Sequence, residues 1–188
     1  MPTRAFFLRQ PLSLLWSGLL LLTLLGASAA HADDYADVNR LIGAKQFPEA
    51  LAKADKYLAG KPRDPQMRFL QGVIQGETAK TAEAIETFTK ITEDYPELPE
   101  PYNNLAVLHA SQSQFDKARA TLEMAIRLNP RYATAHENLG DIYARLASQS
   151  YSRALQLDAG NASLPPKLAL IGQLLAPAPP RVTPAKAP

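Results

Sequence analysis

Pro62, Pro96 and Pro130 stand 34 residues apart, and this period limits what the chain can fold into more than any local motif does. Counting back twelve residues from each gives Ala50, Ala84 and Ala118, and counting back 24 gives Val38, Gly72 and Ala106. Proline lacks an amide donor and clashes with the preceding turn, so each one stops a helix. The small residues fall where two helices must approach closely, and bulkier ones fill the space between neighbours. Each period therefore reads as a pair of helices that covers its apolar face by stacking on the next pair.

The helical faces are legible in detail. In 102–110 the apolar residues Tyr102, Leu105, Ala106, Val107 and Leu108 share one broad face, and in 115–128 Phe115, Ala118, Leu122, Ala125 and Ile126 do the same. The pattern resembles the tetratricopeptide repeat, most closely over 99–132, where Tyr102, Leu105, Ala106, His109, Phe115, Ala118, Leu122, Ala125 and Pro130 follow its order. Residues 65–98 follow it through Gly72, Ala84, Phe88, Ile91 and Pro96, with Arg68 and Gln71 in place of an apolar pair. Residues 31–64 are the most degenerate, keeping Val38, Leu41, Phe47, Ala50, Ala54, Tyr57 and Pro62. The resemblance implies an all-α fold, a right-handed superhelical stack of tetratricopeptide helix pairs, over residues 33–160.

A fourth unit, 133–160, departs from the period. His136, Leu139, Gly140 and Tyr143 open it in register, but Ala147, Tyr151, Ala154 and Leu157 arrive five residues early. The turn between its two helices is missing, and no Gly or Pro occurs over 141–158, so one long helix over about 134–157 is expected. Beyond it, Leu164, Leu168, Ile171 and Leu175 keep helical spacing behind Pro165 and Pro166, which predicts a capping helix within 161–175. Residues 176–188 are rich in Pro and Ala, and such a tail is expected to be disordered.

The first 32 residues read differently. Arg4 and Arg9 precede an almost wholly apolar stretch at 12–25, and Ala30, His31 and Ala32 place small residues two apart, the layout of a secretory signal. The stretch is shorter than the roughly 20 residues that span a bilayer, so a cleaved signal peptide at 1–32 is expected. Cleavage would remove two of the 20 basic residues and none of the 18 acidic ones, leaving a neutral chain with no basic face for nucleic acid. The chain has no cysteine, which excludes disulfides, thiolate metal sites and thiol nucleophiles.

No catalytic or metal constellation emerges. His109 and His136 occupy helix positions where the repeat family places an aromatic, and they read as packing residues. Gly72 and Gly76 lack the Lys-Thr or Lys-Ser pair of a phosphate-binding loop. Glu93, Asp94, Glu97 and Glu100 surround prolines at an inter-repeat turn and read as solvated charge, since calcium needs six to eight oxygens in a defined loop. The expectation is a protein that is not an enzyme and uses no cofactor and no metal.

A stack of helix pairs presents a concave groove lined by the first helix of each pair. By the family's geometry, the resemblance implies a peptide-binding groove at Phe69 and Val73, then Asn103, Asn104 and Val107, then Glu137, Asn138, Asp141 and Arg145. The lysine-rich clamp by which some co-chaperones of the family hold a C-terminal carboxylate is missing, because the matching positions hold Phe69, Val73, Glu100 and Asn104. Asn104 and Asn138, 34 apart, are instead similar to the asparagines with which the repeats of O-linked N-acetylglucosamine transferase hold a peptide backbone, although Leu70 interrupts the series. The sequence as a whole, including the runs at 98–106 and 136–141, is also similar to small exported proteobacterial proteins. That similarity implies a Gram-negative bacterial setting; together with the groove and the signal, the expectation is a periplasmic adaptor that binds an extended peptide or helix of an envelope protein, with no integral membrane segment in its mature form. The alternative is a structural scaffold that self-associates weakly through the ends of the stack, where the Val38 and Leu41 face of the degenerate first repeat needs covering.

Overall fold

The computed structural model describes residues 34–176, so the expected signal peptide and all but the first residue of the expected tail lie outside the described residues. Among the described residues there are helices and no strands. Helix α1 covers 34–43. It is followed by α2 (Phe47–Gly60), α3 (Pro65–Glu77), α4 (Thr81–Asp94), α5 (Pro99–Ser111), α6 (Phe115–Leu128), α7 (Ala133–Leu157) and α8 (Leu164–Leu174). They fall into two compact units, one ending at Leu70 and the other starting at Gln71.

The first unit is closed by a polar knot. Tyr35 Oη donates to Asp64 Oδ2 at 2.6 Å, and Tyr57 Oη donates to the same oxygen at 3.2 Å. The other oxygen of Asp64 accepts the Met67 amide at 2.8 Å, so the carboxylate caps α3 ahead of Pro65. Burial pushes the Asp64 carboxyl upward, but the bonds from Tyr35, Met67, Tyr57 and Gln66 outweigh it and hold it below its usual value. Burial first, then the bonds to Asp64 and Tyr57, raises the Tyr35 phenol above its ordinary range. Val38, Leu41, Ala50, Ala54 and Met67 form the apolar interior of this unit.

In the second unit α4, α5, α6 and α7 each pack on the next helix in sequence, ending with α8, and α5 also reaches α7. Ala106, Ala118, Leu122, Ala125, Ala135 and Ile142 make the buried centre of α5, α6 and α7, with Tyr102, Phe115, Leu139 and Leu146 packed around it. The sequence period reappears as burial. Ala50, Ala84 and Ala118 are all fully buried, and so are Met67, Pro101 and Ala135 at another column of the same spacing.

The turns repeat as well, through residues that carry no sequence signal for them. Lys45, Ala79 and Ser113, again 34 apart, all have φ of 58°. In each case the following amide reaches back five residues, as in Ser113's turn, where Gln114 N donates to His109 O at 2.9 Å. Side chains disfavour this left-handed conformation, which terminates α1, α3 and α5 and lets the partner helix fold back. The next such turn would fall at Ala147, which lies inside the unbroken 25-residue helix α7. The long helix therefore follows from the missing turn residues, and α8 packs against it.

Candidate functional site

Two hollows open on the second unit, and Val107 lines both. The larger, about 430 Å³, lies among α3, α4 and α5; Val73, Gly76, Glu77, Phe88, Asn104, Val107 and Leu108 line it. It exists because α3 presents glycines. A Cβ on Gly76 would meet only Leu108 Cδ2, at 3.7 Å, so the missing side chain leaves room that nothing else fills. The smaller hollow, about 130 Å³, is lined by Ala106, Val107, Ala110, Leu122, Asn138, Asp141, Ile142 and Arg145 from α5, α6 and α7. Val107 is 48% exposed, an uncovered aliphatic side chain where the two meet.

The polar residues around these hollows are held in distinct ways. Asn138 Nδ2 donates to Asn103 Oδ1 at 2.8 Å, tying α7 to α5. Asn103 is buried, 6% exposed, and thus supports the surface from beneath. Asn104 Nδ2 donates to the Glu100 carbonyl of its own helix at 3.0 Å. Asn104 and Asn138 accordingly differ in bonding despite sharing a repeat position. The Arg145 guanidinium lies over the Phe115 ring, 5.8 Å from its centroid. Asp141, one turn earlier on α7, has no ion-pair partner among the described residues. Glu137, a further turn back, is exposed.

The structure thus brings Val73, Asn104 and Val107 to one hollow, and Val107, Asn138, Asp141 and Arg145 to the other. Glu137 lines neither, and Phe69 belongs to the first unit, where it is half-buried on α3. Sequence reading missed the contributions of Gly76, Leu108 and Phe115. The pair of small residues Gly72 and Gly76, four apart inside a helical pattern, was the available sign of a hollow. The first unit has its own hollow of about 250 Å³, lined by Asp34, Val38, Lys53, Lys56, Tyr57 and Met67.

The histidines differ from each other. His109 is half-buried with Nδ1 3.1 Å from Gln114 Oε1, and burial first, with nearby Lys117 also contributing, lowers its pKa against the opposing effect of the Gln114 bond. His136 is exposed rather than packed; its Nε2 lies 3.0 Å from the Pro130 carbonyl. Tyr102 donates to the Pro96 carbonyl at 3.4 Å, one period earlier, so both side chains brace a helix start on the preceding turn. Among the described residues, no group of three or more His, Cys, Asp or Glu could hold a metal ion. No described helix is long and apolar enough to cross a membrane.

Comparison with known proteins agrees with this architecture. A family model described as TPR repeat matches residues 108–146, and one described as tetratricopeptide repeat matches residues 66–97. The chain is 37% identical over 73 residues to the chloroplastic tetratricopeptide repeat domain-containing protein PYG7 of Arabidopsis thaliana, covering 36% of this chain and 24% of that one. It is 32% identical over 100 residues to the UDP-N-acetylglucosamine-peptide N-acetylglucosaminyltransferase of Giardia intestinalis, covering 50% of this chain and 7% of the enzyme. The chain thus spans at most about a quarter of these relatives' length. Among solved structures, the first TPR of Spaghetti (RPAP3), bound to the HSP90 peptide SRMEEVD, aligns with a TM-score of 0.58 at 16% identity, covering 62% of this chain and 92% of that one. That likeness shows the fold, an all-helical tetratricopeptide-type stack.

Proposed function

We propose that this chain is an adaptor: the hollowed surface of its second unit holds an extended segment or helix of another protein and catalyses nothing. One observation carries the reading. Val107 is uncovered where two hollows meet, so a chain laid across α5 and α7 would bury it while reaching Asn104 on one side and Asp141 on the other. Burying an aliphatic side chain contributes about 1.5–3 kcal/mol, and amide side chains that both donate and accept suit a peptide backbone. A relative of this fold solved with a bound peptide supports the mode of binding. The charged start, apolar stretch and small residues of 1–32 support export, and the proposed setting is the periplasm, with an envelope protein as partner.

Photo-crosslinking in cells tests this, with the reactive residue placed at Asn104 or Asp141 and, as control, at exposed Lys117 on α6. The reading expects a discrete adduct from the first two positions and none from the third. Equal adducts from all three would contradict it.

A second reading is a self-associating scaffold. The Val38 and Leu41 face expected to need covering is buried, 1% and 3% exposed, so this reading rests instead on Leu157 of α7 and Leu170 and Leu174 of α8, which are 76%, 65% and 67% exposed. Light scattering over a concentration series checks it, and a strict monomer at high concentration would exclude it.

A further inference from the structure

We infer that the segment held on this surface is cationic as well as aliphatic, with a lysine or arginine next to an apolar side chain. The inference rests on the adaptor reading and adds the chemistry of the partner.

The apolar half of that requirement comes from the hollows themselves. Val107 is exposed between them, and the larger one is walled by Val73, Phe88 and Leu108 with glycine at position 76. An aliphatic side chain entering there replaces water against carbon on several sides.

The charged half comes from the distribution of ionised groups. Glu77 lines the larger hollow and Asp141 the smaller. Glu137 lies one turn before Asp141 on α7, and Glu100 one turn before Asn104 on α5. None of these four carboxylates has an ion-pair partner among the described residues. Arg145 is the only cation lining either hollow, and at the i,i+4 spacing it could have paired with Asp141. It is instead drawn over the Phe115 ring. Lys80 stands between the lining residues Ala79 and Thr81, so the four carboxylates face two cations, Lys80 and Arg145; the charge around the hollows is net negative, and a segment bearing lysine or arginine is attracted while one ending in carboxylates is repelled.

The test uses the full chain and three fluorescent dodecapeptides of the same leucine pattern, whose polar positions carry lysine, glutamine or glutamate. Anisotropy titration is expected to give the lysine peptide an affinity about tenfold above the glutamine peptide, with the glutamate peptide weakest, as two or so surface charge pairs would provide. The preference is expected to shrink as salt rises, because the Debye length falls from about 10 Å at 0.1 M to about 3 Å at 1 M. Glu137→Lys combined with Asp141→Lys is expected to reverse the order, whereas Asp116→Lys on α6 leaves it unchanged. Equal affinities for the three peptides, all weakened in Val107→Ser, would overturn the charge inference and leave the adaptor reading standing. Binding that is indifferent to Val107→Ser, which removes the apolar contact without adding charge, or no binding by any peptide, would overturn both.

Discussion

A Cβ placed on Gly72 would stand 2.8 Å from Cζ of the Phe88 ring, closer than side chains approach, so these two residues fit only as a pair. The same two positions one period later hold Ala106 and Leu122, both in the buried centre of the unit. A larger residue on one helix is matched by a smaller one on the other. Alanine in a helix gains about 1 kcal/mol over glycine, but overpacking a buried ring costs about 1–3 kcal/mol. Gly72→Ala is therefore expected to lower stability, and Gly72→Ala with Phe88→Leu to recover part of the combined loss. A double-mutant cycle by chemical denaturation measures the coupling, and additive losses would refute it.

The left-handed turn residues are expected to be improvable. Ala79 and Ser113 hold φ of 58°, where a Cβ costs about 1–2 kcal/mol. Ala79→Gly and Ser113→Gly should each raise stability by up to about 1 kcal/mol, after the greater freedom of glycine in the unfolded chain is allowed for. Thermal denaturation checks this, and a lower midpoint for both would contradict the turn geometry.

Asp64 should give the first unit a pH-dependent stability. Its folded-state pKa lies below its ordinary value, so its contribution is present above the unfolded carboxylate pKa and is lost as pH falls through the folded one. Asp64→Ala is expected to cost about 1–2 kcal/mol at pH 7, the worth of a helix cap, and progressively less below about pH 4. Denaturation at pH 7 and pH 3 compares the two, and an equal cost at both would show that the carboxylate charge is irrelevant.

Adjacent asparagines should behave differently. Asn103 is buried and accepts from Asn138, whereas Asn104 bonds its own helix near the surface. Asn103→Ala is expected to cost about 1–3 kcal/mol, and Asn104→Ala less than about 0.5 kcal/mol. Similar losses at the two positions would mean that the bond across α5 and α7 carries no weight.

Much of the helix order was legible because helix-stopping prolines and small residues at close approaches obey one period. The long helix α7 was legible from a deletion, since removing the turn leaves nothing to stop a helix between Asp141 and Leu157. The turns at Lys45, Ala79 and Ser113 were not, because the left-handed residues are not glycines and tertiary packing imposes the conformation. The fit of Gly72 to Phe88 was hidden too, since size compensation appears only when both helices are in place. At the candidate site, the face of α5 and α7 followed from repeat position, but the burial of Asn103 and the placement of Arg145 over Phe115 depend on side-chain packing between helices.

The adaptor account is tested most directly by the affinity of the partner segment recovered from the Asp141 crosslink, measured by titration calorimetry against the unaltered chain and the uncharged variant Val107→Ser. Because Val107 is exposed, the substitution should leave the melting temperature nearly unchanged. The account predicts an affinity loss of at least about tenfold, the equivalent of losing about 1.4 kcal/mol of apolar burial. Unchanged affinity in a folded Val107→Ser protein would contradict it.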